Sequence, residues 1–334
     1  MYRLVSATLT LVLVAAACST PGSADETALT VYSGRSEELI GPLIDQFEEA
    51  SGIEVSVRYG DSAELAATIL EEADRSPASV FLAQDPASLG SVALAGLFSS
   101  LPEDLLDQVP AEYSDRDGLW IGVSGRARSV VYDPIATAPD DLPSTEDGLT
   151  DADWAGRVGI APTNGSFLSF VAAKILLDGE AATVSWLEGM KANESPTFPK
   201  NSTIVSAVAD GQVETGLVNH YYALRLLAED PAASVANAFF AVACAGSLVM
   251  PAGAGILASA DAPDSAADFV AFLLSGEAQE YFAQETFEYP LVPGVGPSGD
   301  LPPIDSIPTP AINLSDLAPM LDLATDLVAE VGLL

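Results

Sequence analysis

Two cysteines, one histidine and three lysines are all that 334 residues contain of those types. With no second imidazole for His220 and no cysteine pair near it, a zinc site built from Cys and His is excluded. A Ser/His/Asp hydrolase would have to use that same His220, and no G-x-S-x-G elbow occurs, because Gly122-Val123-Ser124-Gly125 has the wrong spacing. Cys244 lies in the apolar run from Phe239 and reads as a buried, inert thiol without a disulfide partner. Positive charge is scarce too: 12 Lys and Arg face 48 Asp and Glu, for a net charge of −36. That balance excludes a nucleic-acid partner, whose phosphates need Lys and Arg. It favours a soluble monomer and, weakly, a cationic ligand. Acid-rich, Lys-poor composition suits both salt adaptation and a GC-rich genome.

The N-terminus carries a different kind of signal. One charge at Arg3 precedes an apolar stretch from Ala7 to Ala17, broken by Thr8 and Thr10, and Ala15-Ala16-Ala17-Cys18 follows. A basic start, a short apolar region and a small-residue cleavage site describe a secretory signal. The stretch falls short of the ~20 apolar residues a spanning helix needs. Cysteine directly after the small residues points to a lipoprotein: residues 1–17 removed, Cys18 lipid-modified at the new N-terminus, and 18–27 a polar tether. The usual Leu three residues before the Cys is Ala15 here. The mature chain is then expected outside the cytoplasm, anchored to the membrane by lipid.

Beyond the tether, length suggests roughly two domains of ~150 residues. Leu29–Tyr32 reads as a strand, followed by a turn at Ser33-Gly34-Arg35. Leu39, Ile40, Leu43, Ile44 and Phe47 recur at helical spacing, with Ser36 as N-cap, Glu37 and Glu38 in the first turn and Gly52 past the end. Ile53–Tyr59 alternates as a strand, Asp61-Ser62-Ala63-Glu64 opens a second helix, and Ser79–Ala83 is a third strand. Further along, strands are expected at Arg157–Ala161 and Thr215–Val218. Helices are expected at Phe167–Leu177, Ser202–Val208 and Tyr222–Leu227, and a C-terminal helix carries Leu321, Leu327 and Val328 on one face. Alternating strands and helices define an α/β sheet. Without a linker, two lobes joined by crossing strands are expected, with a ligand cleft between them at the carboxyl ends of strands.

Two segments carry candidate chemistry. In Gly216-Leu217-Val218-Asn219-His220-Tyr221-Tyr222 a strand runs into a helix, and two tyrosines at such a junction can both face a cleft. Phenolate is a hard oxygen donor suited to a hard trivalent cation, and binding metal deprotonates it despite a reference pKa of ~10. The same pair can instead be one core and one surface residue. In Ala161-Pro162-Thr163-Asn164-Gly165-Ser166-Phe167 a strand enters a helix through small polar residues, which suits either an anion at free backbone N–H groups or plain N-capping. Asn201 is a similar helix-entry residue.

Seven segments, YSGRSEEL from Tyr32, RSPASVFLAQDPASL from Arg75, SGRARSVVYD from Ser124, WAGRVGIAPTNGSF from Trp154, GLVNHYY from Gly216, GSLVMPAGAGIL from Gly246 and EYPLVPGV from Glu288, occur in this order. Together they resemble the ferric-iron substrate-binding proteins of bacterial ABC importers, within the two-lobed periplasmic-binding-protein type II fold. The resemblance implies an N-lobe of 28–125 with 248–299 and a C-lobe of 126–247 with 300–334. It implies that Tyr221 and Tyr222 bind Fe3+, and that Asn164, Gly165, Ser166, Asn201 and Asn219 hold a synergistic anion, phosphate or carbonate, with Arg126 and Arg128 assisting it or serving in salt bridges. It also implies an importer permease as partner. Fe3+ with two phenolates keeps one positive charge, which an anion offsets.

The chain departs from that family in the N-lobe. Many members present a His and a Glu there, where this sequence has Ser36 and Gln84, and the extra Tyr that others carry near the Asn164 loop is absent. Tyr32, Glu37, Asp85, water or anion oxygens are the substitutes to consider. Binders of phosphonate, polyamine or thiamine share the architecture and remain the rival reading.

Overall fold

The computed structural model describes residues 29–334. The expected signal at 1–17, the lipidated Cys18 and the tether at 18–27 lie outside the described residues. The strands are β1 (Leu29–Ser33), β2 (Val55–Tyr59), β3 (Val80–Ala83), β4 (Ile121–Tyr132), β5 (Val158–Gly159), β6 (Thr215–Asn219), β7 (Ala236–Ala238) and β8 (Val249–Ile256). The α-helices are α1 (Glu37–Ser51), α2 (Ser62–Glu72), α3 (Pro86–Leu94), α4 (Glu103–Leu106), α5 (Gly165–Asp178), α6 (Glu180–Ala192), α7 (Asn201–Ala209), α8 (Tyr221–Glu229), α9 (Pro263–Leu273), α10 (Gly276–Gln284) and α11 (Leu321–Val331).

The strands order as β2-β1-β3-β8-β4-β6-β5, with β7 on β4. In the first half β1 pairs in parallel with β2 and β3, each link being a helix, as parallel strands require. In the second half β5 pairs in parallel with β6. The halves meet at β4 and β8. All twelve residues of β4 and all eight of β8 are buried, so both faces of these strands are covered. The start of β4 pairs with β8 and its end with β6 and β7, so one strand runs through both halves. Gly125 marks the middle of that passage, where a Cβ would meet Tyr289 Cβ and Ile304 Cδ1 at 3.0 Å. This is a two-lobed α/β architecture with crossing strands in place of a linker.

Local signals account for the first half. Apolar spacing buries Ile40, Leu43, Ile44 and Phe47 of α1, and Gly52 ends the helix in the left-handed conformation. Asp61 caps α2 by accepting the Ala63 N–H. One expected strand shrinks: Arg157–Ala161 is reduced to β5, because Ile160 bridges only Thr197 and Pro162 has no N–H to extend the ladder. The C-terminal segment also divides its packing. Leu301, Ile304 and Ile307 join the core of the first half, and the turns at Leu314–Asp316 and Ala318–Met320 lie on α3 before α11 docks on α5 and α6. Within 300–334, expected with the second half, α11 packs on α5 and α6, and the Ala318–Met320 turn touches both α3 and α5. Cys244 is half-buried and unpaired, and burial pushes its thiol up to about 12. None of the helices among the described residues is long and apolar enough to cross a membrane.

Candidate functional site: a cleft between the halves

A cleft of about 390 Å³ separates the two halves beside β4. From the first half, Ser36, Glu38 and Leu39 at the start of α1 and Gln84 after β3 line it. From the second, Lys200, then Ser202, Val205 and Ser206 of α7, and Tyr221, Tyr222, Arg225, Leu226 and Glu229 of α8 line it. The spacings are those of single helix faces: 202, 205, 206 on α7 and 222, 225, 226, 229 on α8. Two further depressions, one over the end of α1 and the start of β2 and one across the outer face of α1, contain neither tyrosine.

Tyr221 and Tyr222 are the first two residues of α8, which begins where β6 ends. Their rings lie 4.2 Å apart at 31°. Tyr221 is 2 % exposed, whereas Tyr222 is partly open to the cleft. Burial raises the pKa of the Tyr222 phenol far above its ordinary value, and the adjacent Tyr221 hydroxyl raises it further. Tyr222 therefore keeps its proton until a cation displaces it.

Behind the tyrosines stand two arginines. Arg128 of β4 pairs in register with Asn219 of β6, which carries its guanidinium to the foot of the pair. It donates to Ser166 Oγ at 3.2 Å and to Asn219 Oδ1 at 3.4 Å, and its plane lies over Phe170. Asn201 Nδ2 donates to the same Ser166 hydroxyl at 2.9 Å and to Asn164 Oδ1 at 3.3 Å. Ser166 and Asn219 are thus brought together on Arg128, and Asn201 and Asn164 join them through the Ser166 hydroxyl. Gly165 faces open space, where a Cβ would meet nothing. Arg126 reaches Gln84 Oε1 at 3.5 Å. Among the described residues neither arginine has a carboxylate within 4 Å. Nε and Nη2 of both, and Asn201 Oδ1, are buried without a partner. Burial pushes Arg128 down to about 10, with Arg126 adding to the shift. This buried cluster has unmet donors that an anion could meet.

The helix start behaves differently from expectation in one respect. The Ser166 N–H is not free, because Asn164 caps it with Oδ1 at 3.1 Å. Arg128 adds side-chain donors, its Nε and Nη2 being without a partner. Three expected substitutes for N-lobe ligands also go elsewhere. The Tyr32 hydroxyl donates to Glu72 at 3.0 Å at the far end of α2, beside Arg58. Asp85 caps α3, accepting from Ser88 N–H at 2.8 Å and Ser88 Oγ at 2.9 Å. Glu37 turns to the outer face of α1 near Tyr59, and its neighbour Glu38 faces the cleft instead. Ser36 and Gln84 do line the cleft. Ser36 precedes α1 without spending its hydroxyl on a cap. Glu38, Lys200, Arg225 and Glu229 are site residues that the sequence reading missed. The last two were within reach, since they lie three and seven residues after Tyr222 on one helical face.

His220, between the Asn219 and Tyr221 side chains in sequence, is fully buried. Its Nε2–H donates to the Phe287 carbonyl at 2.8 Å, so in the neutral ring Nδ1 accepts the Ala127 N–H at 3.2 Å. Burial pushes its pKa down to about 4, which keeps it neutral.

A cleft at strand ends between two α/β halves, lined by polar groups, is the kind of place where such folds bind small solutes. The chain belongs to the family of bacterial extracellular solute-binding proteins, whose family model matches residues 76–304. It is 34 % identical to the major ferric iron-binding protein of Neisseria meningitidis serogroup B, over 99 % of this chain and 98 % of that one. Among solved structures it is similar to iron-bound HitA from Pseudomonas aeruginosa, at 34 % identity and a TM-score of 0.86 over 91 % of this chain and 99 % of that one. The IdiA (FutA) protein of Trichodesmium, solved with iron and citrate, matches at 29 % identity and a TM-score of 0.81 over 91 % and 99 %.

Proposed function

We propose that this chain binds ferric iron in the cleft and delivers it to an ABC importer permease. Tyr221 and Tyr222 supply two phenolates, and an anion completes the site against Arg128, Ser166, Asn201 and Asn219, with Asn164 and Gly165 at its edge and Arg126 alongside. The first lobe is 28–125 with 248–299, and the second closes on it about β4 and β8. The chain is held at the outer face of the membrane through lipid on Cys18. The observation that carries the reading is the tyrosine pair at the first turn of α8, beside two buried arginines that have no carboxylate. Phenolates meet the metal and the arginines meet the anion. The names of the relatives, which bind ferric iron, and the citrate bound with iron in one of them support the same assignment. The first lobe offers only Ser36, Gln84 and Glu38 to the cleft, so anion or water oxygens fill the remaining coordination positions.

The test is the visible tyrosinate-to-iron charge-transfer band. Tyr221→Phe and Tyr222→Phe each delete one donor oxygen and leave the ring packing. Each is expected to weaken the band and to lower iron affinity by more than the ~10–100-fold that loss of an outer partner of a metal ligand costs. The double variant is expected to be colourless. Because burial raises the Tyr222 pKa, protons compete well for its oxygen, and each proton displaced by iron makes affinity fall about tenfold per pH unit on acidification. Single variants with wild-type colour and affinity would move the assignment to a phosphonate-type anion binder, which the unpaired arginines alone would serve.

A further inference from the structure

We infer that His220 is a positioning residue: through a hydrogen bond that crosses from the second half of the molecule to the Phe287 carbonyl in the first, it sets where the Tyr221–Tyr222 pair stands relative to the opposite wall of the cleft. The inference rests on the ferric reading above.

Every polar group of His220 is engaged, on three separate segments. Its backbone N–H donates to the Ala127 carbonyl at 3.0 Å, and its own carbonyl accepts from Asn237 Nδ2 at 2.8 Å. Asn237 is held in turn, its Oδ1 accepting from Ser129 Oγ at 3.1 Å. The ring ties to the Ala127 N–H on β4, the strand that runs through both halves, and to Phe287 after α10. Phe287 and the following Glu288 and Tyr289 belong with the first half: Tyr289 bridges Gly125 and lies in that half's core, and Glu288 forms an ion pair with Arg35 at 2.9 Å and accepts from Ser124 Oγ at 2.7 Å. The imidazole sits between Tyr289, at 4.8 Å, and Tyr221, which meets it edge-on at 5.9 Å and 90°.

Two features set this apart from an ordinary satisfied core histidine. Phe287 has φ 59°, a left-handed conformation that costs a non-glycine residue energy and persists where the surroundings over-determine it. The carbonyl that His220 meets belongs to this residue. Second, His220 directly precedes the two tyrosines, so a shift of its ring moves the first turn of α8 with it. Groups that orient a metal ligand without touching the metal typically change affinity ~10–100-fold when lost.

The experiment separates the two ring contacts. In the full chain, His220→Gln places an amide near the Nε2 position and keeps the bond to Phe287. His220→Asn places one near Nδ1 and keeps only the bond to Ala127, and His220→Phe keeps neither. Iron release to a competing chelator, the charge-transfer maximum and the melting temperature without iron are measured for each. Asn and Phe variants are expected to release iron about tenfold faster or more, with a displaced band maximum. The Gln variant is expected to stay near the wild type, with an iron-free melting temperature no higher than that of Asn. If the Phe variant does not fold, the Gln–Asn pair decides. Equal release rates in Gln and Asn, or changes that simply follow the iron-free melting temperatures, overturn the inference while leaving the ferric reading intact. A wild-type chain that gives no iron band overturns both.

Discussion

Two buried cations in the second half of the molecule stand in opposite surroundings. Lys174 on α5 is 1 % exposed and lies within 3.1 Å of Glu146, 2.6 Å of Asp147 and 2.8 Å of Asp178. Burial works against its charge, yet the three carboxylates hold its pKa above the usual range. Arg128, fully buried on β4, has no carboxylate within 4 Å among the described residues and leaves two of its nitrogens unpartnered. In a chain with 48 acidic residues, shortage of carboxylate is not the reason. A buried charge without a counter-charge is costly unless something supplies one. Lys174 is answered from within the protein and serves the fold. Arg128, beside the tyrosines, is the cation that the proposed anion would answer. On the proposed function, the difference separates a structural cation from a binding one.

The largest effect expected from breaking the comparison falls on stability. Lys174→Met leaves Glu146, 1 % exposed, as a buried carboxylate without its cation, at a cost of about 3–5 kcal/mol. In a chain of this size that lowers the melting temperature by about 5–8 °C. Iron affinity of the folded fraction is expected to be unchanged, since α5 presents Lys174 to the carboxylates and not to the cleft. Calorimetry and chelator competition check the two halves of this statement. A loss of affinity without a loss of stability would erase the distinction.

Arg128→Gln is the converse. Removing an unpaired buried charge spares the iron-free fold its desolvation cost, so melting without ligand should hold or rise. The anion loses its strongest donor, and iron affinity measured in phosphate or carbonate buffer is expected to drop about 10–100-fold. If the iron-free protein instead loses stability as Lys174→Met does, Arg128 is a structural cation too.

The same contrast explains how much was legible in the sequence. Lys174 and Asp178 are an i,i+4 pair on α5, but Glu146 and Asp147 come from a separate turn, and nothing local announces their meeting with the lysine. The tyrosine pair and the Asn164-Gly165-Ser166 entry were visible because a strand running into a helix is itself a local pattern. The short strands and amphipathic helices of the first half followed from apolar period and caps. β4 was not legible as twelve residues: buried on both faces, Ile121–Tyr132 shows no alternation, and Ser124, Arg126 and Arg128 read as a polar break. The other engagements of Tyr32 and Asp85, two of the substitutes considered, were not legible, because their partners, Glu72 at forty residues' distance and the α3 N-terminus, are set by the fold. Glu37 and Glu38 could not be separated, since one residue is ~100° of helix and the phase at a first turn is set by packing.

That last pair yields the smallest effect and the sharpest test of how the two walls of the cleft differ. Glu38 is exposed on the first-half wall, facing Lys200, Arg225 and Glu229 across the opening, while Glu37 lies on the outer face. If the second half holds the metal and the first mainly encloses it, Glu38 acts only through its field. An exposed charge pair is worth at most about 1 kcal/mol, so Glu38→Gln should weaken iron binding by no more than ~5-fold. The effect should shrink further at 1 M salt, where screening acts within ~3 Å. Glu37→Gln should change nothing beyond measurement error. A loss from Glu38→Gln as large as that from Tyr222→Phe, and insensitive to salt, would mean that closure brings this carboxylate onto the iron. The first half would then supply a ligand from α1 in place of the His and Glu that Ser36 and Gln84 replace.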